Sequence, residues 1–129
     1  MSSPVLKILL GARTLIAFPA HWTQHALARD IECNPKTPDD PSAVCFCADG
    51  ALLKAAGTTS LQSGLPKQDD HYADYVRAVS AVEIATRQLF DIESYIEVND
   101  DEVLDIEGGH AAVLRIFDRA IHNEEPDHG

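Results

Sequence analysis

Cysteine is scarce and odd in number. Cys33, Cys45 and Cys47 are the three thiols of a 129-residue chain. An odd count makes a poor disulfide framework and suits a reducing, cytoplasmic setting. No Cys-x-x-Cys pair and no His-Glu-x-x-His run is present, so the common short zinc signatures are missing. Basic residues are also few. Ten Lys and Arg stand against 21 Asp and Glu, for a formal charge of −11. That balance argues against direct contact with nucleic acid or an anionic membrane, both of which need a basic footprint. It fits a self-repelling soluble protein, or one that meets a basic protein partner. A long hydrophobic run is lacking as well. The apolar opening PVLKILLGARTLIAF is broken by Lys7 and Arg13 and is too short to span a bilayer or to read as a leader. No fixed-period repeat, Gly-rich phosphate loop or Gly-x-Ser-x-Gly elbow occurs.

What is present is helical periodicity. Ser3 caps and Pro4 occupies the first position of a helix expected to reach about Ala17, where Pro19 stops it. Val5, Leu9, Ala12 and Ile16 form one stripe, broadened by Leu6, Ile8, Leu10 and Leu15, so most of its circumference should be buried. Residues 22–32 read as extended, turning at Asn34-Pro35, and 34–41 as a proline-rich loop. Asp40 and Pro41 look like a second helix start, running to Gly57 with Val44, Cys47, Ala48, Ala51, Leu52 and Ala55 on one face. Gly50 would sit mid-helix, compensated by close approach of another backbone. A polar loop, 58–68, precedes the longest helix, from Asp69 or Asp70 to about Phe90. Asp91 should cap a short helix ending near Asn99, with Asn99 suited to a left-handed end. A last helix should span about Gly109 to His122, its tail (122–129) frayed. These elements predict a single mainly α domain over 1–129. Four main helices and a short fifth form a bundle, with room for one small β-hairpin near 24–37.

Four kinds of chemistry are open to these residues. His21 and His25, four apart around the only tryptophan, could join Cys45 or Cys47 on zinc if that stretch is helical. On a helix, however, Cys45 and Cys47 would stand about 200° apart and could not share an ion. The acidic run around Asn99, Asp100, Asp101 and Asp105 lacks the EF-hand pattern and reads as a solvated loop. Cys47 with His21 or His25 could form a thiol–imidazole pair of a small hydrolase, although a core thiol in an acidic chain makes a weak nucleophile. A polar cluster is the better candidate. Trp22, Thr23, Gln24, Arg29 and Asp30 lie in a non-helical stretch, and Asn99 and Asp100 end a short helix. Such residues serve either recognition or structural glue. Arg29 is expected to pair with Asp30 or Asp100.

The segments WTQHALARD, DDPSAVCFCADGALLKAAG, HYADY, VND and VLRIFDRAI together resemble a family of small bacterial and phage-borne proteins of unknown function. Its pattern, Trp-Thr-Gln, Ala-Arg-Asp, Cys-x-x-Gly-Ala-Leu and a late Trp-Asn-Asp, falls here on Trp22, Thr23, Gln24, Ala28, Arg29, Asp30, Cys47, Gly50, Ala51, Leu52, Asn99 and Asp100. Val98 departs from it where an aromatic belongs, and His21, His25 and Cys33 stand outside it. The resemblance implies no activity. It implies that Trp22 matters more than its flanking histidines, and that the polar cluster is shared, as fold or as site.

The expectation is therefore a small, acidic, cytoplasmic binding or accessory module without catalysis or cofactor, facing a basic partner and able to self-associate. The alternative is a zinc protein or a small hydrolase using His21 or His25 with Cys47. Elemental analysis separates the module from the zinc protein: the module carries no stoichiometric zinc, and a chelator leaves its melting temperature unchanged.

Overall fold

Ser3 caps the first helix, as its sequence suggests. In the computed structural model its hydroxyl oxygen accepts the Leu6 N–H at 3.0 Å, and helix α1 follows over Pro4–Leu15. The structure describes residues 3–57, 61–62, 65–66, 70–92, 94–100 and 106–125. Leu6, Ile8, Leu9, Ala12 and Ile16 point into the core. Leu10 does not; it is exposed, so the wet strip of α1 is wider than expected. The helix also stops before Ala17. The Ala17 N–H turns back to Thr14, and the chain leaves through an extended Phe18, as a residue before proline must. Pro19 opens a 3-10 turn, Pro19–His21.

The expected hairpin is there, with a third strand added. Strand β1 (Ala28–Arg29) pairs antiparallel with β2 (Pro35–Lys36) on one side and β3 (Cys45–Phe46) on the other. Asp30 builds the turn by accepting the N–H groups of Glu32 and Asn34, each at 2.9 Å.

Strand β3 overturns the second helix start. Asp40 caps a tight turn instead, accepting from the Ser42 N–H at 2.8 Å and the Ser42 hydroxyl at 2.6 Å. Residues beyond it are drawn into the sheet: Val44 N–H donates to Arg29 O at 2.9 Å and Cys47 N–H to Leu27 O at 3.2 Å. A helix from Pro41 would compete for those donors. Helix α2 therefore spans only Ala48–Ala56, with Cys47 as its cap and Gly57 as its left-handed stop. Val44 is consequently exposed rather than in the core. Gly50 lies in the first turn, not mid-helix, and the expected close approach is real. A Cβ there would fall 1.9 Å from the Leu27 carbonyl oxygen.

Within 58–68, Leu61–Gln62 (β4) and Leu65–Pro66 (β5) pair with each other, where a loop was expected. Helix α3 runs over Asp70–Phe90 and closes on Asp91 at positive φ. Asp91 thus ends one helix instead of capping the next. Helix α4 (Tyr95–Asn99) is capped by Ser94 and ends on Asp100 with an ordinary φ, so Asn99 is not left-handed. Helix α5 spans Ile106–Glu124, starting three residues before the expected Gly109. Val113, Ile116, Phe117 and Ala120 form its buried stripe, and Ile121 packs at the edge. The core lies where α1 packs on α2, α3 and α5. No helix among the described residues is long and apolar enough to cross a membrane.

Gly50→Ala should destabilise the fold by about 3 kcal/mol, at the upper end of overpacking costs, because the obstacle is backbone rather than a movable side chain. Urea denaturation measures this; a loss under about 0.5 kcal/mol would contradict the close approach.

Candidate functional site

The polar cluster assembles around Asn99. This residue ends α4 and is 1% exposed. Its Oδ1 accepts the Trp22 indole N–H at 2.7 Å and the Ala48 backbone N–H at 2.9 Å. Its Nδ2 donates to Thr23 O at 3.1 Å and to Asp100 Oδ1 at 2.9 Å. Its carbonyl accepts from Gln24 Nε2 at 3.0 Å. One amide therefore joins the chain after α1, the start of α2 and the end of α4.

Trp22 is buried at this junction. Its indole lies on the His110 ring at 5.6 Å and against Gly109, where a Cβ would come within 3.1 Å of the ring. That contact explains a glycine inside α5. His110, absent from the sequence reading, is itself buried and bonds through Nε2 to Ile16 O at 2.6 Å. Only helical spacing pointed to it, and its place beside Trp22 arises from tertiary packing.

Arg29 is glue of the same kind. Its guanidinium donates to Thr23 Oγ1 at 3.1 Å, Cys33 O at 2.9 Å and Gln24 O at 3.3 Å. Neither expected carboxylate takes it. Asp30 instead faces its own hairpin turn and Lys36 at 3.8 Å. The Asn34 N–H, more than any other contact, holds the Asp30 carboxyl below the usual range. The structure thus gathers Trp22, Thr23, Gln24, Arg29, Asn99 and Asp100, and sets Asp30 apart.

The zinc candidates fare differently. His21 is exposed on the 3-10 turn, its ring edge-on to Phe18 at 5.9 Å. The stretch after it is not helical, so His21 and His25 do not share a helix face. Cys45 and Cys47 stand on β3 and at the α2 cap rather than within a helix. Among the described residues no three His, Cys, Asp or Glu side chains are grouped to hold a metal ion. Of the acidic run read as a solvated loop, Asp101 and Asp105 lie outside the described residues.

Beside the Asn99 junction a half-open cavity of about 220 Å³ penetrates the surface. Ala26, Leu27 and Ile96 supply apolar walls, and His25, Cys47, Asp49, Asn99 and Asp100 supply the polar groups. His25 holds a left-handed backbone (φ 65°), and its N–H donates to Asp100 Oδ1 at 3.0 Å. Asp49, in the first turn of α2, receives two phenols on Oδ1: Tyr75 at 2.6 Å and Tyr95 at 2.7 Å. Burial, and next the Asp49 charge, push both phenols well above the usual tyrosine range, so they stay donors. Cys47 Sγ accepts the Gly50 N–H at 3.3 Å, and burial pushes its thiol up to about 12. Asp49, Ala26, Leu27 and Ile96 are the lining residues that sequence reasoning missed, whereas His25 and Cys47 entered it as zinc or hydrolase candidates. Asp49 becomes legible only once α2 is known to start at Ala48.

A mainly helical fold with a small three-stranded sheet and this junction defines the chain's class. The chain belongs to a family of unknown function, DUF6197, whose model matches residues 1–123. Neither a curated protein nor a solved structure matches it significantly.

Asn99→Ala strands the indole N–H, the Ala48 N–H and the Thr23 carbonyl together. A loss of about 3 kcal/mol or more is expected, with a red shift of the single tryptophan's emission; unchanged emission and stability would refute the clamp. The raised pKa values of Cys47, Tyr75 and Tyr95 carry a pH dependence. Between about pH 9 and 12 the folded Cys47 keeps a proton that the unfolded chain releases, and the two phenols act in the same direction from about pH 10 upward. Stability is therefore whole below about pH 9 and falls as pH rises toward 12. Cys47→Ala should flatten the lower part of that fall.

Proposed function

We propose that this chain is a non-catalytic binding module whose working surface is the cavity face formed by the 24–27 loop, the start of α2 and α4, and that it serves a positively charged protein partner. One observation carries the reading. The cavity beside the clamp has apolar walls and two carboxylates, Asp49 and Asp100, and no Lys or Arg is found among the described residues that line it. A rigid, pre-formed hollow with a few convergent polar groups is the usual form of a recognition site. The formal charge of −11 adds long-range attraction for a basic surface.

A second reading has one observation in its favour. Cys47 and His25 line the same cavity, and His25 Nδ1 stands 4.0 Å from Asp100 Oδ2. That is the composition of a thiol hydrolase. Against it, the thiol caps α2 and burial holds it protonated, whereas a nucleophilic cysteine needs a depressed pKa.

NMR mapping with a lysine-rich peptide tests the module. Shifts should concentrate at 24–27, 47–49 and 95–100, and binding should weaken steeply between about 50 and 500 mM salt as screening shortens. Salt-insensitive binding, or shifts spread evenly over the acidic surface, would sink the proposal. Alkylation addresses the rival: Cys47 should react with iodoacetamide far more slowly than exposed Cys33. A Cys47 that reacts first would favour the hydrolase.

A further inference from the structure

We infer that the cavity takes one arginine side chain from the partner, its guanidinium meeting Asp49 and its aliphatic stem lying along Leu27 and Ile96. The inference rests on the module reading and names what that module grips. Three features select this occupant. At about 220 Å³ the hollow is smaller than the roughly 300–1,000 Å³ of sites for larger organic ligands, and suits a single long side chain. Its walls are mostly apolar while its charged groups are acidic, which matches a side chain with a greasy stem and a cationic head. Asp49 is also held ready. Both tyrosines converge on Oδ1. Oδ2 receives no hydrogen bond among the described residues, and none of their side-chain polar atoms is sealed off without a partner. A second oxygen is thus left for an incoming donor. Guanidinium suits this place better than ammonium because it is planar and more weakly hydrated, so entering an apolar hollow costs less.

The other prominent features of the surface lead nowhere comparable. Phe18 and Ile31 are exposed apolar side chains with nothing in the structure to say what covers them.

The test titrates the full chain with N-acetyl-arginine amide, following the methyl signals of Leu27 and Ile96. N-acetyl-lysine amide and N-acetyl-norleucine amide are the comparisons. Arginine should give saturable shifts at both residues, lysine weaker ones, and norleucine binding at least about tenfold weaker than arginine. Asp49→Asn keeps an acceptor for the two tyrosines, so it should fold, and should weaken arginine binding about tenfold. Ile96→Lys changes an exposed position and places a competing ammonium at the mouth; it should abolish the Leu27 shifts. Norleucine binding as well as arginine, or arginine binding undiminished in both variants, overturns the inference. The two proposals fail separately. If the lysine-rich peptide still maps to this face with steep salt dependence, the module stands and only the arginine pocket falls. If arginine binds and the peptide does not map here, the pocket stands without the partner surface.

Discussion

Everything near the cavity depends on the carboxamide of Asn99. It is the one side chain that satisfies a buried indole, a helix-start N–H and a loop carbonyl at once. Each of those groups would otherwise be a buried polar orphan, and such orphans cost more than an ordinary hydrogen bond contributes. The arrangement uses both ends of the amide and so demands asparagine. Aspartate would lose the donor, and leucine would lose everything.

That clamp explains why a five-residue helix persists beside much longer ones. Helix α4 has a single turn and little intrinsic stability. It stays in place because Tyr95 reaches Asp49, Val98 enters the core, and Asn99 holds Trp22. Two of those contacts, Tyr95 on Asp49 and Asn99 on Trp22, hold residues that line the cavity. The proposed binding surface and the structural glue are therefore continuous: Asn99 and Asp100 line the cavity and join the clamp, whereas Trp22, Thr23 and Arg29 lie in the scaffold behind. A hollow fixed by buried hydrogen bonds is pre-organised, and pre-organisation lowers the ordering cost of binding.

His25 and Asp49 show how local chemistry gains meaning from its neighbours. The histidine looked incidental beside the tryptophan, yet its left-handed backbone turns its N–H onto Asp100. Histidine tolerates this conformation better than branched residues do, and strained backbone often accompanies a working surface. Asp49 reads as an ordinary first-turn acid. Only the arrival of Tyr75 and Tyr95 from two other helices makes it the oriented anion of the hollow.

The chain's own order of residues determined the helical class, the long α3 and the stripe of α5, because apolar spacing at helical period needs no partner to be read. It also pointed to a small hairpin and to the cluster of Trp22, Gln24, Arg29 and Asn99. Tertiary structure decided the rest. The Asp40-Pro41 start failed because Leu27 and Arg29 claimed the N–H groups of Cys47 and Val44. Gly109 sits inside a helix because an indole from elsewhere presses on it. Competition for backbone donors, and the packing of distant side chains, are settled by groups far apart along the chain, and no local pattern carries that information.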